Sequence, residues 1–167
     1  SHMHMFEHFM QTLKDIFEVR DEGEIHRNVL LGMDTWYDRE KQMFRINHAM
    51  YLRNLFEREL DLVKRYCKTP AYTPTDPAVS SLTVDDCPKT QIEQTKEWKK
   101  MHSKFRTVLG SVSHATNWTI PGGLVAVGRC AQYMSCPGRT HFIALMWYFN
   151  YLYTKLQKHD SGEQDMS

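Results

Sequence analysis

The chain carries nine histidines and four cysteines, Cys67, Cys87, Cys130 and Cys136, the residue types that hold metal ions and act as nucleophiles. A zinc site needs ligands that converge on one ion, which sequences supply as C-x-x-C or H-E-x-x-H pairs; neither motif occurs. Cys130 and Cys136 are six positions apart beside a Pro-Gly break, which is not a zinc spacing. His102, His114 and His141 could meet in space, as could many trios of histidines, and capping and polar packing are the expected roles. No G-x-S-x-G elbow and no Cys-His setting is present. Asp85-Asp86 falls among Thr, Ser and Pro residues and reads as a turn cap. No catalytic residue, metal or cofactor is therefore expected, and the chain does not read as an enzyme.

Weaker signals point to ligands. Gly122-Gly123 at a helix start could offer free backbone N–H groups to an anion, but a sharp entry turn or close packing explains the pair as well. Lys96, Lys99, Lys100, Lys104 and Arg106, interleaved with Trp98 and Phe105, make one basic helix. A solvated amphipathic face is the expected reading, because 21 Lys and Arg are balanced by 20 Asp and Glu. That balance gives no electrostatic drive toward nucleic acid. Thr69-Pro70 and Thr73-Pro74 have the form of proline-directed phosphosites, and Asn117-Trp118-Thr119 that of a glycosylation sequon; turn chemistry is the expected reading of the first two, and chance of the third.

These residues sit on a largely helical pattern. Residues 1–4 read as a tag remnant, and 5–159 as one helical domain. Phe6, Phe9, Met10, Leu13, Ile16 and Phe17 recur at three- and four-residue steps, predicting a helix from Met5 to about Asp21. Ile25, Val29, Met33 and Trp36 predict a second over 24–37. Met43, Ile46, Met50, Leu55, Leu60, Val63 and Tyr66 predict a third over 39–67, either continuous or kinked. Residues 69–88, with four prolines, are expected to form an exposed loop. A capping box at Thr90 and Glu93 opens a helix carrying Trp98, Met101, Phe105, Val108 and Leu109, ending at Gly110. Two further helices follow over 121–135 and 140–158, separated by Cys136-Pro137-Gly138. The last is apolar on nearly every face, so it must lie inside the fold. Residues 160–167 read as a disordered tail. The predicted class is all-α, a single globular bundle of about six to eight helices around two central apolar ones.

The stretch Phe142 to Tyr153 is shorter than the roughly 20 apolar residues a bilayer requires. A cytoplasmic location is expected, with any contact to intracellular membranes made through a segment outside these residues.

The C-terminal third resembles the Bcl-two family of apoptosis regulators. FRTVLGSVSHATNW, Phe105 to Trp118, is similar to the helix approaching that family's Asn-Trp-Gly-Arg motif. LVAVGRCAQYM, Leu124 to Met134, is similar to its central helix. FIALMWYFNYLYTKLQKH, Phe142 to His159, is similar to the apolar helix that follows. The sequence departs from the motif in having Thr119-Ile120 after Asn117-Trp118. The family's ligand-pairing Arg is thus missing there, and Arg129 is the candidate substitute. Asp34 and Asp61 are rough counterparts of the family's own ligand-motif Asp.

The resemblance implies a protein-binding regulator that takes a partner's amphipathic helix into an apolar groove. Phe105, Val108 and Leu109 are the expected lining, with Trp118 at the rim and Val125 on the floor. Met50, Leu55 and Phe56 would form the facing wall. Two other readings stay open: a secreted cytokine-like bundle, which requires two disulfides, and a helical viral or chromatin-associated scaffold with an unrelated partner.

Overall fold

Alternation rather than helical period governs residues 27 to 47. In the computed structural model, which describes residues 2–18, 27–30, 32–76, 79, 81–89 and 95–162, this stretch is an antiparallel sheet of order β1-β2-β3. The strands are β1 (Arg27–Leu30), β2 (Met33–Asp38) and β3 (Met43–Asn47). Thr35 faces Ile46 and Tyr37 faces Phe44 across the β2–β3 pair, so β-branched and aromatic side chains stack on one surface. Leu30 pairs directly with Met33, and Gly32 makes the turn at φ +80, a conformation open to glycine at little cost. At the second turn Asp38 Oδ1 accepts the amides of Glu40 and Lys41 at 3.0 and 3.1 Å.

The all-α expectation is corrected accordingly: the protein is mostly helical with a small three-stranded sheet. The helix expected over 24–37 is absent from its described residues. The helix expected over 39–67 begins only at Ala49 and breaks at Glu59, giving α2 (Ala49–Arg58) and α3 (Leu60–Tyr66). The sheet starts α2, since Asp34 Oδ2 accepts the Met50 amide and Asn47 Oδ1 the Ala49 amide, both at 2.9 Å. These satisfy donors that a helix leaves unpaired at its N-terminus.

Helix α1 (His2–Ile16) leaves Met5, Phe6, Phe9 and Ile16 exposed, as is Phe17 just after it. Helix α4 (Lys96–Thr119) runs through Gly110 without a break. The stripe Phe105, Val108, Leu109, Val112, Ala115 and Thr116 continues across it, and that burial outweighs the roughly 1 kcal/mol cost of an interior glycine. Thr95 caps α4, its hydroxyl accepting the Trp98 amide at 3.2 Å; the box expected at Thr90 and Glu93 lies outside the described residues. Pro121 ends the helix, because it disfavours α geometry in Ile120 before it. Helix α5 (Leu124–Gln132) and helix α6 (Arg139–Asp160) follow.

Helix α6 is the centre of the molecule. Leu145, Tyr148, Phe149 and Leu152 are fully enclosed, and α2, α3, α4 and α5 all pack on α6. Helix α5 is not a second centre. Ala126, Val127 and Cys130 are buried, while Leu124 and Val125 face solvent.

The segment expected as an exposed loop is strapped to α6. Asn150 Nδ2 donates to Thr69 O at 2.8 Å, Trp147 Nε1 to Thr73 O at 3.0 Å, and Ala71 N to Thr154 Oγ1 at 3.2 Å. Ala71, Val79 and Leu82 are buried, so irregular backbone here is held by side chains in place of a ladder.

Candidate functional site

The apolar residues expected to line a cleft divide into two groups. Leu55, Phe56, Phe105, Val108 and Leu109 all belong to one buried cluster. Phe105 is 0% exposed, and Phe56 packs edge-on to Phe149 of α6 at 4.9 Å. The two expected walls therefore meet in the interior. Trp118 and Val125 are 64% and 67% exposed at the corner between α4 and α5. Met50 is exposed at the start of α2, beside β2. Arg129 is half-exposed on α5 and bonds Gln132 Oε1 at 3.3 Å. Asp34 and Asp61 do not share a helix: Asp34 belongs to a strand and Asp61 to the first turn of α3.

A groove opens at the other end of α4. It lies between α3, the first half of α4 and the start of α6, with a volume of about 1080 Å³. Leu62 and Tyr66 from α3, Met101 from α4, and Phe142 and Ile143 from α6 supply apolar surface. Four cations, Arg65, Lys100, Lys104 and Arg139, line it against the single acid Glu97. Lys104 is ion-paired with Glu59, and the Arg65 guanidinium stands over the Tyr66 ring at 5.4 Å. Lys100 and Lys104 come from the basic run read in the sequence as a solvated face. Arg65 and Arg139 join them only through folding, as do the apolar residues of α3 and α6. The missed signal was local: Leu62 and Tyr66 are four apart on α3, a short stripe that a helix of this length does not need to bury itself.

The groove is firmly walled at the α6 end. Trp98 Nε1 donates to Pro137 O at 2.9 Å. The Gly138 amide donates to His141 Nδ1 at 2.8 Å, which places the neutral ring's proton on Nε2, facing Thr83 O at 3.0 Å. His141 also stacks on Tyr133 at 4.0 Å. Burial, only partly opposed by the Thr83 bond and by Asp86, holds His141 below the usual histidine value.

A second buried histidine joins the sheet to α4. His48 Nδ1 lies 2.8 Å from Thr119 Oγ1, and its ring meets that of His114 edge-on at 5.0 Å. Burial first, then His114, lowers its pKa, while Asp34 pulls the other way. All four cysteines are free. Among the described residues, no group of three or more His, Cys, Asp or Glu is placed to hold a metal ion. No helix among them is long and apolar enough to cross a membrane.

Comparison with protein-family models, with curated proteins and with solved structures returns no match.

Proposed function

We propose that the protein is a binding module that seats a partner's amphipathic helix in the groove between α3, α4 and α6, in the manner of a Bcl-two-like cell-death regulator. The observation that carries this reading is the pairing of an apolar floor with a four-cation rim on one face. Leu62, Met101, Phe142 and Ile143 offer surface to apolar anchors, each worth roughly 1.5–3 kcal/mol when fully desolvated. Met101 adds an adaptable contact. The floor runs beside α4 from Glu97 to Thr107, which at 1.5 Å per residue is about 15 Å, or nearly three helical turns. The rim selects a helix with acidic residues flanking its anchors, contributing orientation and association rate more than affinity. The enclosed α6 with amphipathic helices packed on several sides supports the family resemblance. The corner beside Trp118, where that family's motif would direct attention, lies apart from this groove, whose lining does not include it.

Fluorescence-polarisation titration of the full chain with labelled helical peptides tests this. The panel holds death-ligand helices together with acidic and basic amphipathic helices of equal apolarity. Acidic helices are expected to bind in the micromolar range, and Lys100→Glu combined with Arg139→Glu to weaken them at least roughly tenfold. Absence of binding by every peptide at high micromolar concentration overturns the reading. Binding indifferent to the double substitution overturns the choice of groove.

A further inference from the structure

We propose that Cys87 and Cys136 form a reversible disulfide that pins the segment ahead of α4 to the turn between α5 and α6. The two cysteines are 49 positions apart, yet the fold brings their segments into contact. Cys136 Sγ donates to Pro88 O at 3.7 Å, beside Cys87, and Cys136 is near enough to the Cys87 thiol to help raise it above the usual cysteine value. The backbones around them are tightly apposed: a Cβ on Gly138 would sit 1.8 Å from Asp86 O. The bond from Trp98 to Pro137 and the facing of His141 Nε2 toward Thr83 O hold the same junction on either side. A disulfide demands that the two backbones already lie close, and here the Cys136 sulfur reaches the carbonyl of the residue next to Cys87.

Burial of the thiol separates this pair from Cys130 and from Cys67, although Cys67 is half-buried as a residue. Cys87 lies on a shallow cleft shared with Glu97, Trp98 and Arg139, and both partners are half-buried. Cys130 is enclosed in the core, and burial pushes both its thiol and that of Cys67 up to about 12. Such thiols carry almost no thiolate and react slowly. Burial, and then Cys136, raise the Cys87 thiol as well; what sets Cys87 apart is the sulfur of Cys136 reaching its neighbour Pro88.

The oxidant is a low-molecular-weight disulfide of the glutathione type. One thiolate of the pair attacks a sulfur of the oxidant, forming a mixed disulfide and expelling one small thiolate. The other protein thiolate then attacks the protein sulfur of that mixed disulfide and expels the second. Two electrons pass to the oxidant, which leaves as two small thiols carrying the two protein protons. The bond closes the chain from 87 to 136, and with it all of α4 and α5, into one loop, which restricts the unfolded chain.

The test uses the full chain equilibrated across ratios of oxidised to reduced glutathione, alkylated, then weighed intact and peptide-mapped. The expected product is lighter by two hydrogen atoms before alkylation, with Cys87 joined to Cys136, Cys67 and Cys130 alkylatable after unfolding, and a higher thermal midpoint. Cys136→Ser is expected to abolish this species and leave a glutathione adduct on Cys87, and Cys87→Ser the reverse. Four alkylatable thiols at a fully oxidising ratio overturn the proposal, as do stable separate adducts on both cysteines of the unsubstituted protein, or a bond that uses Cys67 or Cys130.

Discussion

Tyr148 of α6 donates its hydroxyl to Thr116 Oγ1 of α4 at 2.6 Å, at a point that no solvent reaches. Thr116 in turn donates to Val112 O at 2.7 Å, so the tyrosine ends a two-bond chain across the central packing. The same hydroxyl fills the space above Gly123, where an added Cβ would lie 2.0 Å away. Of the glycine pair read as a candidate anion cradle, Gly123 is thus a place of close packing, while Gly122 faces open space. Gly123→Ala is expected to cost about 1–3 kcal/mol through overpacking, and Tyr148→Phe about 1 kcal/mol through the lost bond. Urea denaturation of both variants measures this; an unchanged midpoint for Gly123→Ala would contradict the contact.

Phe105 belongs to the core and does not line the groove. Its ring is fully enclosed in the central cluster, so Phe105→Ala is expected to cost ~3–5 kcal/mol, as large-to-small changes in aromatic cores do. Phe6→Ser and Phe9→Ser on α1 change exposed positions and are expected to stay within about 0.5 kcal/mol. Thermal melts of the three proteins check the contrast.

Acid should loosen the fold through His141 and His48. Both are held below the usual 6.5, so near that value the unfolded chain takes up protons that the folded chain refuses. Stability is then complete above 6.5 and falls as pH drops through the lowered folded values. Protonating His141 Nδ1 also opposes a second donor to the Gly138 amide. Denaturation midpoints from pH 7.5 to 5 are expected to decline, and more shallowly in His141→Gln. A variant declining as steeply as the parent would show that His141 is not responsible.

Groove charge should be separable from stability. Lys100 and Arg139 line the groove from different helices and are exposed, so their reversal to Glu should change the urea midpoint little, within about 0.5 kcal/mol. The same substitutions should weaken acidic helical peptides, and that affinity should fall as salt rises from about 0.05 to 0.5 M, because screening shortens the reach of the rim. Titration at both salt concentrations decides it.

Helix α6 was legible from its residues, because Phe142, Leu145, Phe149 and Leu152 line one face while Ile143, Met146, Trp147 and Tyr151 make the others apolar too. The hairpin was not. Val29, Met33 and Trp36 satisfy a helical step of three and four, while Met33, Thr35 and Tyr37 satisfy a step of two, and no local rule chooses between them. Pairing of Thr35 with Ile46 and of Tyr37 with Phe44 makes that choice. Gly110 misled for a related reason: a glycine weakens a helix by an amount that packing on both sides of it easily exceeds.

The chain's order of residues alone determined that most of it is helical and that its last helix is interior, since both follow from periodicity and apolar content. Tertiary structure decided which apolar stripes are covered. Phe105 and Leu109 vanished into the core, Trp118 and Val125 stayed in water, and Leu62, Met101, Phe142 and Ile143 met beside four cations drawn from three helices. Burial is a property of neighbours, and here core neighbours such as Phe56 and Phe149 are 93 positions apart, beyond the reach of any local pattern.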